Sequence, residues 1–457
     1  MVIFVGGRQH APATRRTAVL STLVVFTAAL GPRGLMGDNV GTLPPNAIAV
    51  PRSAPDYQMN HSTIIMPCNN SGYTNPATTA SWSIIDFDWS NGKALWTKSR
   101  PMNDEEVLQK QIELSTSHAE PGQTVWTYRG SMWAYPWYTS VRKTLEDPAY
   151  ADWYMKFKPQ GPWFSKKCDD NYDPPVCSDL YHNQEQSPEF PHGDGDCAAP
   201  NCDCGQGVPC GFYMWNHSST TVVHNQTFLE WFRDDYIFDY QGTSPLVSGM
   251  YFDDFWPVGP GRFPDPYTNM TEDMGLTAPQ QAAIAKSYAS NMAVIYDEIL
   301  QRGMFSWQQL WNGQSDPSAK NGCCTKPLVA KDTCAATLRK LCAADSPAQT
   351  RAMIYSFGPG GCNHAPSLKV LDFDADLANF LLVRGPHAWL GHGWLGCSQD
   401  YSAATTGANG AALNADYGEP SALCAETAAG SGIFTREWTK ATVQMDCNAW
   451  KPTITMR

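Results

Sequence analysis

Ser248-Gly-Met-Tyr-Phe-Asp-Asp-Phe-Trp256 is an apolar run that stops on two carboxylates and an aromatic pair. A short apolar run of this length reads as a buried strand. A strand that delivers acids at its C-terminal end is how a parallel α/β barrel presents a catalytic carboxylate. Working outward, strand-like and helix-like stretches alternate on both sides of it. Trp82–Trp89 and Thr124–Arg129 read as the first two strands, Gly211–Trp215 as the third, and the quoted run as the fourth. Met304–Gln308, Ala352–Phe357 and His387–Leu390 follow as strands five to seven. Between them lie helical signals: Asn103 with Glu106 as an N-cap pair, Pro148 at a first helical position, the capping box Thr277–Gln280, and the apolar face of Asp372–Arg384. Alternating strands and helices imply parallel pairing through crossovers. Seven or eight such units predict a (β/α)8 TIM barrel over residues 81–457, with a short C-terminal β extension.

Residues 158–210 interrupt the rhythm. They are dense in Pro, Gly, Asp and Cys, and a loop of that length needs a staple or a function. Fifteen cysteines in 457 residues fit an oxidising compartment. The clustering of Cys168, Cys177, Cys197, Cys202, Cys204 and Cys210 predicts a disulfide-rich insertion, with Cys323, Cys324, Cys334 and Cys342 as a second group. Zinc is the weaker explanation, because no paired C-x2-C motif occurs, and no metal site is expected. No cofactor is expected either: no Gly-x-Gly-x-x-Gly follows the first strand.

Arg8, Arg15 and Arg16 precede an apolar stretch, Ala18 to Leu30, that is too short for a bilayer span of about 20 residues. Residues 1–31 therefore read as a signal peptide or signal anchor, and 32–80 as an extended lead-in. The expectation is a secreted protein that meets a membrane only if the leader is retained. Sequons at Asn60, Asn69, Asn216, Asn225 and Asn269 agree with that route. The net charge of −12 argues against nucleic acid as a partner. Oligomeric state is not legible.

Asp253 and Asp254 are neighbours on an extended chain, so they point to opposite sides and at most one faces the barrel mouth. Asp253 closes the apolar run directly and is the first candidate acid. Glycosidase chemistry needs a second carboxylate. Asp416, in the turn-rich segment Asn414–Pro420, ranks first for that place; Asp88, which shares a face with Asp86 after the first strand, ranks second. Aromatic residues cluster after strand ends: Trp133, Tyr135, Trp137 and Tyr138, then Phe255 and Trp256, then Trp389 and Trp394. Such faces stack on sugar rings. Arg384 and His387 are candidate contacts for sugar hydroxyls, and Gln308 ends the fifth strand. No Gly-x-Ser-x-Gly elbow supports a serine hydrolase.

The order of Ile85-Asp-Phe-Asp88, Tyr128-Arg129, Gly249–Asp254, Arg384–Gly391 and Asp416-Tyr-Gly418 resembles the group catalogued as hypothetical glycosyl hydrolase family 15, a relative of the α-galactosidase superfamily. The likeness runs from Trp82 to the C-terminus, roughly four-fifths of the chain, by motif order. It implies a (β/α)8 barrel and a strand-four aspartate nucleophile at Asp253; the expected substrate contacts are Asp86, Tyr128, Arg129, Asp254, Trp256, Gln308, Arg384, His387 and Trp389. In that superfamily the acid/base aspartate ends strand six, where this chain has Ser356-Phe-Gly-Pro-Gly360. The expected function is a secreted, retaining glycoside hydrolase acting on an oligo- or polysaccharide. The alternative is an inactive barrel that binds carbohydrate.

Overall fold

The computed structural model describes residues 2–5, 57–67, 69–80, 82–119, 123–161, 164–169, 174–183, 204–242, 246–253, 274–308, 329, 331–350, 352–357, 373–385, 388–392 and 407–457. Eight strands form the main sheet: β1 (Val2–Val5), β2 (Thr63–Ile65), β3 (Ile84–Phe87), β4 (Thr124–Gly130), β5 (Val247–Asp253), β6 (Phe305–Gln308), β7 (Ala352–Phe357) and β8 (Ala388–His392). Their order is β1-β7-β8-β2-β3-β4-β5-β6. All neighbours are parallel except β1, which runs antiparallel to β7 with Val2 opposite Tyr355. The last parallel strand, β8, pairs with the first, β2, so the sheet curls back on itself. Among the described residues, seven strands are parallel rather than the expected eight, and β1 and β6 are the ends of the hydrogen-bonded ladder.

One expected strand changes place, and one strand is new. Phe212–Met214, read as the third barrel strand, pairs antiparallel with Trp133–Ala134 and His182–Asn183 in a separate small sheet. Thr63–Ile65, inside the expected lead-in, supplies an unforeseen parallel strand. Val247–Asp253 is still the fourth parallel strand, and Val2–Val5, within the expected leader, pairs on the sheet.

The curl is filled by side chains from strands that are not neighbours. Trp126 of β4 lies 6.3 Å from Phe305 of β6 and 5.9 Å from Trp389 of β8, and Phe305 and Trp389 are 5.2 Å apart. Inward residues drawn from alternate strands are the packing of a barrel core. Gly249 of β5 sits in register with Trp126 and makes room for it: a Cβ there would stand 2.3 Å from the indole ring. Gly249→Ala should therefore destabilise the fold by about 1–3 kcal/mol through overpacking, read as a lowered urea midpoint at constant m.

Helices cover the outer face. Asp104, Glu105 and Glu106 stand in the first turn of α1 (Asp104–Thr116), where carboxylates complement the helix dipole. Asn103 is its N-cap residue but makes no side-chain cap. The expected helix after Asp147 is a 3-10 turn, Pro148–Trp153, capped by Asp147. The long α2 (Ala278–Gln301) begins at the expected Thr277–Gln280 box, where Thr277 N and Oγ1 donate to Gln280 Oε1 at 2.9 and 2.8 Å. No helix among the described residues is long and apolar enough to cross a membrane.

The C-terminal extension is a four-stranded antiparallel sheet, Ala425–Glu426, Ile433–Glu437, Ala441–Asp446 and Lys451–Met456. Its alternating buried residues pack on α3 (Phe373–Val383), whose described residues are almost all buried. Cys334–Cys447 and Cys342–Cys424 staple the helix Cys334–Leu341 to this extension, while Cys168–Cys177 and Cys204–Cys210 close short loops in the insertion.

Candidate active site

Strand register decides which side chains face the hollow. Asp86 of β3 and Gly249 of β5 both sit opposite Trp126, so they share its inward face. Two residues further along, Tyr128 and Tyr251 face inward as well, their rings edge-to-face at 5.4 Å. Asp88 follows β3 at the same parity, and Asp253 ends β5 at the next. The C-terminal mouth of the curled sheet thus carries Asp88 and Asp253, with Asp86 one layer deeper.

The Tyr128 hydroxyl donates to Asp253 Oδ2 at 3.2 Å and lies 2.6 Å from the Tyr135 hydroxyl. Asp88 Oδ1 accepts from Ser90 N at 2.8 Å and Ser90 Oγ at 2.6 Å. Burial raises the Asp88 carboxyl to about 6; the Ser90 bonds oppose that rise and the Asp253 charge adds to it. Asp86 is fully buried, and neither of its oxygens has a hydrogen-bond partner among the described residues. Burial first, then the Asp88 and Asp253 charges, hold it well above the ordinary carboxylate range. These couplings tie the three acids into one titrating cluster.

The backbone carrying Asp253 is braced from behind. Ser131 N and Oγ each donate to the Asp253 carbonyl at 3.0 Å, and Ser131 Oγ meets the Tyr288 hydroxyl of α2 at 2.9 Å. His217 Nε2 lies 2.9 Å from the Ser131 carbonyl, and Asn291 Nδ2 lies 3.3 Å from His217 Nδ1. Those partners assign the neutral tautomer with hydrogen on Nε2. Burial pushes the imidazole down to about 4, which keeps it neutral at ordinary pH. His217 is a strut here, not an acid or a base.

The aromatic residues after β4 are placed differently from the expectation. Trp133, Tyr135, Trp137 and Tyr138 are fully buried. Tyr135 stacks on Trp137 at 5.2 Å, and Trp137 on Trp96 at 5.6 Å. The stack ends at Trp89, directly after Asp88, which lies 5.7 Å from Tyr135 and is only half-buried. Trp89 is the member of the stack with part of its surface open to solvent.

Several sequence candidates lie elsewhere. Arg129 alternates with Tyr128, so it points to the helix side. There it is fully buried, pairs with Glu105 of α1 at 3.2 Å and donates to the Tyr236 carbonyl at 3.0 Å. Arg384 precedes its strand and therefore lies at the opposite, N-terminal end. It holds the Tyr57 and Gln58 carbonyls at 2.9 and 3.2 Å and also the Ser62 hydroxyl. Asp416, the first-ranked partner for Asp253, is exposed on a turn and paired with Lys440. Lys440 and the Gly418 amide hold its carboxyl below the usual range. It shares a groove with Tyr57–Asn60, the segment that leads into β2, and so stands away from the mouth. Trp389 is inward but forms the floor. Gln308 ends β6 opposite Phe252. Asp254, Trp256 and His387 lie outside the described residues. The structure thus brings Asp86, Asp88, Tyr128 and Asp253 together, and leaves Arg129, Arg384 and Asp416 apart. Trp89, Ser90, Ser131, Tyr135 and His217 join the site unforeseen. Among the described residues, no group of three His, Cys, Asp or Glu side chains is placed to hold a metal ion.

No protein-family model matches the chain, and no curated protein matches it. Solved structures with a similar outline include a sucrose 6F-phosphate phosphorylase from Thermoanaerobacter thermosaccharolyticum, at 10% identity and TM-score 0.43, covering 86% of this chain and 95% of that one. A trehalulose synthase from Pseudomonas mesoacidophila MX-45 matches at 11% identity and TM-score 0.41, covering 84% and 90%. An α-galactosidase from Geobacillus stearothermophilus matches at 10% identity and TM-score 0.38, covering 84% and 46%. Likeness at this level carries no correspondence between residues.

Proposed function

We propose that this chain is a secreted glycoside hydrolase, built on a curled, mainly parallel α/β sheet, that cleaves an extracellular or wall oligo- or polysaccharide with retention of configuration. One observation carries the proposal. Two inward carboxylates share the mouth, and burial and the neighbouring charge hold one of them, Asp88, protonated up to about 6. Carboxylates in contrasting environments divide into an acid and a nucleophile. Asp88 donates its proton to the glycosidic oxygen as the bond to the anomeric carbon breaks. Asp253, steadied by Tyr128, attacks that carbon and forms a glycosyl ester. Asp88, now ionised, takes a proton from water, and the hydroxide formed releases the sugar. Trp89 offers a flat face for the ring bound beside them.

The test is turnover by the full chain, expressed through a secretory route, on a panel of aryl glycosides, with the product anomer followed by proton NMR. The expected first product keeps the anomeric configuration of its substrate. Inversion would move Asp253 from nucleophile to base. Oligosaccharide binding without turnover of any panel member would replace hydrolysis with a non-catalytic carbohydrate-binding role.

A further inference from the structure

At the N-terminal end of the parallel strands, opposite the mouth, the chain forms a groove of about 590 Å³ between the segment leading into β2 and the C-terminal extension. That volume lies within the range of small-molecule sites. Its walls include Tyr57, Asn414, Asp416, Glu419, Thr439 and Lys440. The Tyr57 ring is fixed edge-on to Trp438 at 5.8 Å. The polar walls combine an amide, a hydroxyl, a salt-bridged Asp416–Lys440 pair and a second carboxylate. Such a lining offers donors and acceptors while repelling an anion, which suits a neutral polyhydroxylated ligand.

Asn60 lies in the same wall and heads the sequon Asn60-His61-Ser62. The described sequons are not equivalent. Asn69 Nδ2 donates to the Tyr73 carbonyl at 2.9 Å, and Asn216 Nδ2 to the Asp152 carbonyl at 3.0 Å; both side chains are half-buried. Asn225, at a hairpin tip, and Asn60, on the 3-10 turn Met59–His61, are exposed. Their amides make no hydrogen bond among the described residues. Asn269 lies outside those residues. The two open sequons differ in setting, because only Asn60 lines the groove.

We infer that Asn60 carries an N-linked glycan whose first sugars seat in this groove. The inference rests on the secretory route of the proposed function but not on hydrolysis. In the transfer, Asn60 Nδ2 forms a bond to C1 of a sugar activated as a lipid-linked pyrophosphate. The C1–O bond to the pyrophosphate breaks, the pyrophosphate leaves with that electron pair, and Nδ2 gives up one proton. A tethered sugar then faces the groove at an effective concentration of the order of millimolar, so a site with a dissociation constant of ~0.1 mM is filled about ten to one. A groove too weak to capture free sugar is occupied for that reason.

The experiment is expression of the full chain in a glycosylating secretory host, followed by peptide:N-glycanase digestion of denatured protein in H2-18O and peptide mass mapping. Expected are 18O-labelled Asp at positions 60 and 225, unlabelled Asn at 69 and 216, and loss of one glycan in Asn60→Gln. Unlabelled Asn60 in protein labelled at position 225 overturns the modification. On native protein, release from Asn60 should be about tenfold slower than from Asn225, and Ala415→Trp, which fills the groove, should abolish the difference. Equal native release rates in the parent chain overturn the seat. Both readouts are independent of glycosidase activity, so the hydrolase proposal and this one fail separately.

Discussion

Asp253→Asn should reduce kcat/KM by roughly 10^4-fold or more, and Asp88→Asn by about 10^2–10^4-fold, with opposite consequences for stability and pH dependence. In the proposed mechanism Asp253 is the attacking group, and an amide cannot form the glycosyl ester. Asp88 supplies a proton, so substrates whose leaving groups depart unaided lose less. In the proposed mechanism the active form has Asp88 protonated and Asp253 ionised, which places the alkaline limb of kcat/KM near the Asp88 value of about 6. Asp88→Asn should erase that limb. Its stability effect runs the other way. The folded-state value of Asp88 lies above the ordinary carboxyl value of 3.8, so ionising it costs stability progressively as pH rises from 3.8 through about 6. Asn keeps the shape and still accepts both Ser90 bonds, and it removes that cost. Because Asp88 is not fully shielded from water, the gain is about 1 kcal/mol rather than the full value of the shift. Urea melts should show the variant more stable than the parent at pH 8 and equal to it at pH 3.5. Equal stability at both values, or an unchanged alkaline limb, would remove Asp88 from the proton-donor role.

Much of this site was legible because alternation and strand polarity act locally. The run ending at Asp253 is apolar throughout and stops on its acid, so its place at a strand end could be read directly. Asp86-Phe87-Asp88 carries its period in plain view. The same rule, applied to Tyr128-Arg129, sends Arg129 to the opposite face, and polarity sends Arg384, which precedes its strand, to the wrong end. Motif order along the chain is blind to both effects. The strand count is less secure in the sequence. Thr63–Ile65 is three residues long and offers no period, while Phe212–Met214 has strand composition but finds antiparallel partners in Trp133–Ala134 and in His182–Asn183 of the insertion. Ser131 and His217 leave no local signal, because their bonds span 122 and 86 positions along the chain. Burial of the aromatic stack is equally invisible: each ring is as apt for a core as for a sugar.

Arg129→Met should cost about 3–5 kcal/mol, the largest loss expected from any single substitution outside the mouth. Arg129 and Glu105 are both completely buried between β4 and α1, and the guanidinium carbon lies 4.9 Å from the Tyr138 ring and 5.2 Å from that of Tyr236. Removing the cation leaves the Glu105 carboxylate in a low-dielectric layer with only Ser140 as a hydrogen-bond partner among the described residues, through N at 2.8 Å and Oγ at 2.7 Å. Burial already raises the Glu105 carboxyl, and Arg129 is the largest influence opposing that rise. Without Arg129 it climbs further, so the damage should shrink as pH is lowered and Glu105 takes up a proton. The double variant Arg129→Met with Glu105→Gln separates charge from shape. The glutamine oxygen accepts from Ser140 N, its amide nitrogen donates to Ser140 Oγ, and the hydroxyl reverses its role to suit. The bond from Arg129 Nε to the Tyr236 carbonyl and the guanidinium's contacts with the Tyr138 and Tyr236 rings are then lost, which leaves a deficit of about 1–2 kcal/mol. A recovery of about 2–3 kcal/mol from Arg129→Met to the double variant, measured by urea unfolding at pH 8, is the expected signature of a buried charge left alone. A double variant as unstable as Arg129→Met would mean that packing of the Arg129 side chain, rather than the pairing of charges, holds β4 to α1.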